Sequence, residues 1–398
     1  MAQRIKFNDD LGQHMTPPNI AALLCRELPG DISAAVDLAV GHGDLLLPLR
    51  DRWPGIQLYG IDCDPARLSF ASQRLGKTAT ALGNGLVSKL PRRLFCGGRF
   101  ACVCNPPFLP MVGNSQTDRL IADAFPNVTS RHGLRRMEVA FLARALLEAR
   151  SRQGWVAIIL PSAFASGLQY APYRKSLVET CCVTKVIEIR EGHFRDTEAT
   201  TVLLIVDTAR RPTGKVFIGN YFLADDTLQP IYEGPISASQ RLDAAYWQAA
   251  CLHQSNHPTL RQIGTEIARG TRCRAEAARK HQHLLHTTDL SKLTGHRVVL
   301  PSKCCPSGDI VAEPGDILLP RTGTRVRWEP VEVVRGSAPI SDHVLRIRAP
   351  RMFRRAVWKS FRHPNFQPWL RSVSKGVCAT VLTKQELLDM PLFALTPR

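Results

Sequence analysis

The chain is 398 residues long, 44% hydrophobic and 22% charged, which suits two globular domains and excludes a disordered, collagen-like or low-complexity protein. Its longest apolar runs, such as Trp155 to Leu160 and Val202 to Val206, fall far short of the roughly 20 residues a membrane span requires; no secretory stretch opens the chain, so a cytoplasmic protein without a membrane partner is expected. The formal net charge of +18 points to a polyanionic partner, because each neutralised phosphate releases counterions.

In the first half, short apolar and often β-branched runs predict strands at Ala34 to Val40, Gln57 to Ile61, Phe100 to Cys104, Trp155 to Leu160, Thr184 to Ile189 and Thr201 to Val206. Ala21 to Leu28, Pro65 to Leu75 and Glu138 to Ala149 place apolar residues three and four apart, as amphipathic helices require. Strands alternating with helices predict an α/β fold with a doubly wound, mostly parallel sheet, whose ligand sits beyond the carboxyl ends of the strands. The rhythm stops at the polar stretch Asp207 to Gly214. That stretch predicts a first domain over residues 1–212 and a smaller, β-rich α+β domain over 213–398, with strands at Arg297 to Leu300, Ile317 to Leu319 and Val344 to Ile347.

The twelve cysteines do not form a paired C-x-x-C set. Cys102 and Cys104 share one apolar strand, and Cys181-Cys182 and Cys304-Cys305 are doublets. In a reducing compartment these read as small core residues rather than disulfides or zinc ligands, and no metal is expected.

The first predicted strand runs into Asp37-Leu38-Ala39-Val40-Gly41-His42-Gly43-Asp44. Two glycines there permit a tight turn and a close approach to a ligand. Asp62, 21 residues beyond Gly41, closes the second strand, where a carboxylate can accept both hydroxyls of a ribose. Leu46 occupies the third glycine position of a dinucleotide fingerprint, so a smaller adenosine-containing cofactor is favoured; an ordinary turn with two glycines is the alternative.

The strand Ala101-Cys102-Val103-Cys104 then ends in Asn105-Pro106-Pro107-Phe108. Two prolines remove two backbone donors and hold an extended corner, so carbonyl oxygens are aimed outward. The Asn105 side-chain oxygen and the Pro106 carbonyl could accept the two hydrogens of adenine's exocyclic amine, stabilising the nitrogen as it gains positive charge. Phe108 would stack on the base, which direct displacement requires to be in line with a methyl donor. A structural turn with a core phenylalanine is the alternative.

These residues resemble the gamma-class adenine-N6 DNA methyltransferases of bacterial restriction-modification systems. The resemblance implies a Rossmann-like class I methyltransferase fold, S-adenosyl-L-methionine as cofactor, and methylation of an adenine flipped from double-stranded DNA. Gly12-Gln13-His14-Met15-Thr16-Pro17-Pro18 is similar to the family's N-terminal motif and makes Thr16 a cofactor contact. By the same resemblance Asp37, Gly41 and Gly43 line the cofactor, Asp62 holds its ribose, and Asn105 lies beside its methyl group. Asn105, Pro106 and Phe108 handle the target adenine, and Phe194, in Gly192-His193-Phe194, packs against it. Leu82-Gly83-Asn84-Gly85-Leu86 departs from the family pattern: Asn84 stands where an aspartate usually accepts from the cofactor's adenine, so the bond lacks charge assistance. Leu38 replaces a usual proline.

The second half resembles target-recognition domains of type I specificity subunits, through Arg241 to Trp247, Gly315 to Thr324, and Lys375-Gly376 through Leu387 to Leu392. No acidic residue lies between Asp342 and Glu386, where Arg346, Arg348, Arg351, Arg354, Arg355, Lys359, Arg362, Arg371 and Lys375 alternate with Phe353, Trp358, Phe361, Phe366 and Trp369. This pattern predicts a DNA surface with stacking or wedging aromatics, against the alternative of a solvated basic face. The polar segment from Leu109 to Met137, with Arg119, Arg131, Arg135 and Arg136, reads equally as a DNA-contacting loop and as a mobile connection. With eleven residues before Gly12, cleavage, if any, is expected from a separate restriction endonuclease. The rivals are an RNA guanine-N2 or protein-glutamine methyltransferase and a non-catalytic DNA specificity protein.

Overall fold

A computed structural model of the chain describes residues 15–76, 79–92, 98–128, 134–190, 200–238, 240–252, 257–279, 284–290, 297–301, 308–323, 329–373 and 380–394. They fall into two compact units, Met1–Ala244 and Ala245–Arg398. Among the described residues no helix is long and apolar enough to cross a membrane.

The first unit is built on a nine-stranded sheet. In chain order the strands are β1 (Ile32–Asp37), β2 (Gln57–Asp62), β3 (Thr80–Leu82), β4 (Arg99–Cys104), β5 (Trp155–Pro161), β6 (Cys182–Arg190), β7 (Thr201–Asp207), β8 (Lys215–Phe222) and β9 (Thr227–Pro235). Their spatial order is β3-β2-β1-β4-β5-β7-β6-β8-β9. The first five neighbours are parallel, β7 lies antiparallel between β5 and β6, β8 is parallel to β6, and β9 returns antiparallel. The helices are α1 (Pro18–Glu27), α2 (Leu46–Arg52), α3 (Pro65–Leu75), α4 (Ser115–Ala124), α5 (Met137–Arg150), α6 (Ser162–Ser166) and α7 (Ala171–Thr180).

This is the α/β architecture read from the alternation of strands and helices. One face of the sheet buries Ala35, Val103, Ile159 and Leu203 against Leu23 and Leu24 of α1 and Leu46 and Leu49 of α2. Residues of the opposite parity, Val36, Cys102, Ile158 and Leu204, are equally buried, and α5 packs on β4 and β5. Coverage of both faces is why the central strands read as continuous apolar runs rather than alternating ones. Cys102 and Cys104 are core residues here, as are Cys25, Cys181 and Cys182, whereas Cys63 and Cys273 are exposed. Start and stop signals of α3 are explicit in its sequence. Asp64 Oδ1 accepts the N–H groups of Ala66 and Arg67, Pro65 opens the helix with no donor to lose, and Gly76 at φ +95° ends it.

The expected boundary after residue 212 is corrected. The polar stretch from Asp207 to Gly214 is a loop, and the chain re-enters the same sheet as β8 and β9, which cover the edge that β6 would otherwise leave open. The segment from Leu109 to Met137 is likewise more than a connection. It contains α4, opened by a reciprocal cap between Asn114 and Thr117, and Arg135 and Arg136 are paired with Asp118 and Glu138.

The second unit contains α8 (Ala244–Leu252), β10 (Glu266–Arg269), α9 (Arg274–Arg279), α10 (Thr287–Leu290), β11 (Arg297–Val299), β12 (Val311–Ala312), β13 (Ile317–Pro320), β14 (Thr322–Gly323), β15 (Val331–Arg335), β16 (Ala338–Pro339) and β17 (Val344–Arg348). It ends with α11 (Arg354–Phe361), α12 (Phe366–Val373), β18 (Thr380–Val381) and α13 (Lys384–Leu388). A five-stranded sheet, β10-β17-β13-β15-β11, is its centre. The aromatic part of the basic run is corrected: Phe361, Phe366 and Trp369 are buried in this unit's core, and Phe353 and Trp358 pack against it. Arg346 and Arg348 are likewise committed to carboxylates. Arg346 pairs with Glu266, and Arg348 grips the buried Asp316 through Nε at 2.8 Å and Nη2 at 2.7 Å.

Truncation tests the revised boundary. A fragment of residues 1–244 should melt cooperatively, and one of residues 1–212 should melt at least ~5 °C lower or aggregate through the uncovered β6 edge. Equal melting temperatures would show that the β8–β9 hairpin adds nothing to the sheet.

Candidate active site

The chain leaves β1 for β2 and β3 on one side and returns to β4 on the other, so strand order reverses between β1 and β4. A crevice must open at the carboxyl ends of the strands flanking such a reversal. Register then fixes what faces it. Asp37 stands opposite Gly60 of β2 and Val103 of β4, so Asp62 and Asn105 each lie two residues further along on either side. A cleft opens there, lined by Thr16, Asp37, Gly41, His42, Arg67 and Asn105 among others.

The glycine turn is held by side chains from its neighbours. Asp62, 2% exposed, accepts the Gly41 N–H on Oδ2 at 2.8 Å and the Asp64 N–H on Oδ1 at 2.9 Å. Gly41 takes φ +52° to reach this carboxylate, a conformation costly for other residues. On the far side, Arg74 of α3 donates to the His42 carbonyl at 2.8 Å and to Asp44 at 2.6 Å.

Asp37 is buried, and its Oδ1 accepts the Ala39 N–H at 3.0 Å. Burial pushes its pKa up to about 7, the Ala39 bond opposes this, and the Asp62 and Asp44 carboxylates add to it. His42 lies 4.9 Å from the Phe70 ring. Burial lowers its pKa, with Arg67 and Arg74 reinforcing the effect and Asp44 opposing it.

The proline corner begins at the carboxyl end of β4. Asn105 Nδ2 donates to Thr16 Oγ1 at 3.0 Å across 89 residues of sequence. That bond ties the Asn105 amide to the segment that carries Thr16. Pro106 and Pro107 are buried, and Phe108 is half-buried against the core.

Of the residues expected from sequence, Thr16, Asp37, Gly41 and Asn105 share the cleft, and Asp62 joins it through Gly41. Gly43 is favoured by its φ of +84°, which side-chain-bearing residues rarely adopt, and a Cβ there would also lie 2.9 Å from Leu75 Cδ1. Asn84 is exposed beyond β3, with its Oδ1 closing a turn onto the Leu86 N–H at 3.0 Å. Phe194 and Gly12 to His14 lie outside the described residues. Sequence reasoning missed His42 and Arg67. His42 was in view between the two glycines; Arg67, 5% exposed and paired with Asp64 at 3.4 Å, gave no signal in the period of its helix.

With Asp62 able to accept hydroxyl hydrogens beside its backbone donors, the cleft fits a nucleoside that carries hydroxyls.

Residues 5–225 match the family model described as N-6 DNA Methylase. The chain belongs to the N-6 DNA methylase family. Solved structures give the fold context. The methyltransferase subunit of a type I restriction-modification system from Streptococcus thermophilus is 21% identical over 54% of this chain and 48% of its own, with a TM-score of 0.45. The type IIG restriction endonuclease BpuSI is 13% identical over 95% and 58%, with a TM-score of 0.49. The type IIL restriction-modification enzyme MmeI, solved in complex with DNA, is 11% identical over 94% and 63%, with a TM-score of 0.53. The chain thus spans between 48% and 63% of these larger chains. No curated protein matches.

The Asp37 environment makes a stability prediction. Its folded pKa of about 7 lies above the unfolded value of 3.8, so between these values the folded state holds the extra proton. Stability is therefore lost as pH rises from about 4 to 7, and the penalty is constant above that. Asp37→Asn removes the penalty. Its melting temperature should match wild type near pH 4 and exceed it by a growing margin up to pH 7; a constant difference across that range would refute the buried, neutral state of Asp37.

Proposed function

We infer that the first unit transfers a methyl group from S-adenosylmethionine to the N6 amine of an adenine flipped out of duplex DNA. The second unit would supply target recognition, and the enzyme would serve modification in a restriction-modification system. The observation that carries this reading is the Asn105–Thr16 hydrogen bond at the mouth of the cleft. The order of motifs, with the Thr16 segment before the glycine turn, supports assignment to the gamma class.

Asp62 would hold the cofactor's ribose, and Asp37 and Thr16 would lie beside its methionine part. Bound there, S-adenosylmethionine supplies an electrophilic methyl group. The chain's own residues then prepare the amine. Its lone pair is delocalised into the adenine ring, and Asn105 Oδ1 and the Pro106 carbonyl accept its two hydrogens, favouring the pyramidal nitrogen that can attack. Pro107 leaves no competing N–H at the corner, and Phe108 offers the exposed part of its ring to the base. As the nitrogen–carbon bond forms, the carbon–sulfur bond would break to leave the neutral thioether of S-adenosylhomocysteine, and the surplus proton on nitrogen would pass to water; with orientation supplying most of the acceleration, no strong base is needed.

Asn105→Ala tests this directly. Labelled methyl transfer to duplex DNA should fall at least ~100-fold, the scale of losing one oriented polar group, while calorimetric binding of S-adenosylmethionine persists. Undiminished turnover would remove Asn105 from the chemistry.

The DNA-binding role of the second unit rests on charge geometry. Arg351, Arg355, Lys359 and Arg362 are exposed and recur every three or four residues along α11 and the turn before it, on one helix face, while Val357 and Phe361 face the core. At ~1.5 Å per residue this stripe is about 16 Å long, enough to follow two or three phosphates. Changing all four to Gln should flatten the dependence of log affinity on log salt, by ~0.9 for each phosphate no longer neutralised. An unchanged slope would assign the stripe to a solvated face.

A further inference from the structure

Behind the proline corner lies a carboxylate with no outlet to water. Glu138, in the first turn of α5, is 0% exposed. Its Oε1 accepts Tyr170 Oη at 2.6 Å and Arg136 Nε at 2.8 Å, and its Oε2 has no hydrogen-bond partner among the described residues. Burying a carboxylate is costly unless its partners compensate. A helix start alone does not require this, because an exposed Ser, Thr or Asp would cap it.

The network ends at the corner. Arg136 sends Nε to Glu138 and Nη2 to the Phe108 carbonyl at 3.2 Å. Around it the backbone is laced together: Pro110 bridges Arg136, the Met111 N–H donates to the Arg135 carbonyl at 2.9 Å, and the Met137 N–H donates to the Leu109 carbonyl at 3.0 Å. The phenol of Tyr170 is a donor at neutral pH, since burial and Glu138 both raise its pKa. The segment from Asn105 to Phe108 is thus fastened at its two ends, by Thr16 in front and by Arg136 behind.

We propose that Arg136, held in place by Glu138 and Tyr170, is a positioning residue that fixes the Asn105–Phe108 corner relative to the cleft. The assignment rests on the adenine reading above. The guanidinium serves both acceptors at once, because its donors diverge from a rigid plane. Lysine in its place keeps the charge beside Glu138 and forfeits the second hydrogen bond.

Arg136→Lys should therefore leave the melting temperature within ~2 °C of wild type. It should lower kcat by ~10- to 100-fold, the scale of a misplacement near 1 Å, with KM for S-adenosylmethionine and Kd for duplex DNA each within about twofold. Tyr170→Phe should lower kcat in the same way, and the double variant should lose little more than either single one, since both act through Glu138. A merely structural network would lower the melting temperature and leave kcat per cofactor-binding site unchanged; that result, or wild-type kcat in Arg136→Lys, overturns the proposal. Hydrogen exchange keeps the test independent of the reaction. In both variants the amides of Phe108, Leu109 and Met111 should exchange at least ~10-fold faster, with those of Val36 and Val103 unchanged. If wild type transfers no methyl group to duplex DNA, the functional reading falls and exchange alone decides: unaltered protection at Phe108 to Met111 overturns the clamp.

Discussion

The site depends on the parallel pairing of β1 with β2 on one side and β4 on the other. Asp37, at the end of β1, faces Gly60 and Val103. A shift of one residue in either ladder would turn Asp62 or Asn105 to the other face of the sheet. Burial opposes such a shift, since Val36, Ala35, Ala101, Cys102 and Val103 are all 0% exposed and alternate between two covered faces. The hydrophobic pattern of three strands therefore sets the positions of two carboxylates and an amide to within a hydrogen bond's tolerance. Gly60 shows how close the fit is: a Cβ there would come within 2.5 Å of a Val40 methyl.

Much of this frame was legible because each local cue had a short-range cause. The apolar runs of β4, β5 and β7, the Asp64-Pro65 start of α3 and the glycine turn needed no tertiary information. What was hidden depended on partners distant in sequence. β8 and β9 follow a polar loop that resembles a domain linker, and only the unpaired edge of β6 explains why the chain returns to the sheet. The Asn105–Thr16 bond joins two segments that were each in view for separate reasons, while their pairing was not. Arg136 and Glu138 were harder still, since one read as a loop charge and the other as a polar residue at the start of an amphipathic helix.

The basic run of the second unit illustrates the same limit. Charge and aromaticity were read together as one surface, yet the fold separates them. Phe361, Phe366 and Trp369 fill the core because α11 and α12 must cover the sheet, and Arg348 is committed to the Gly315–Asp316 turn. What remains outside is mainly positive charge, with Trp358 half-buried beneath Arg362 at 5.8 Å.

Two unfavourable electrostatic features flank the same corner, and their placement is informative. Asp37 is buried among Asp62 and Asp44, and Glu138 is buried with one oxygen unpaired. At neutral pH Asp37 would be more stable as a neutral side chain of similar shape, whereas Glu138 is tolerated because Arg136 and Tyr170 pair with it. Through that pairing Glu138 anchors the guanidinium that reaches the Phe108 carbonyl. The covered sheet beneath it, with apolar residues on both faces, supplies the stability against which such costs are tolerated.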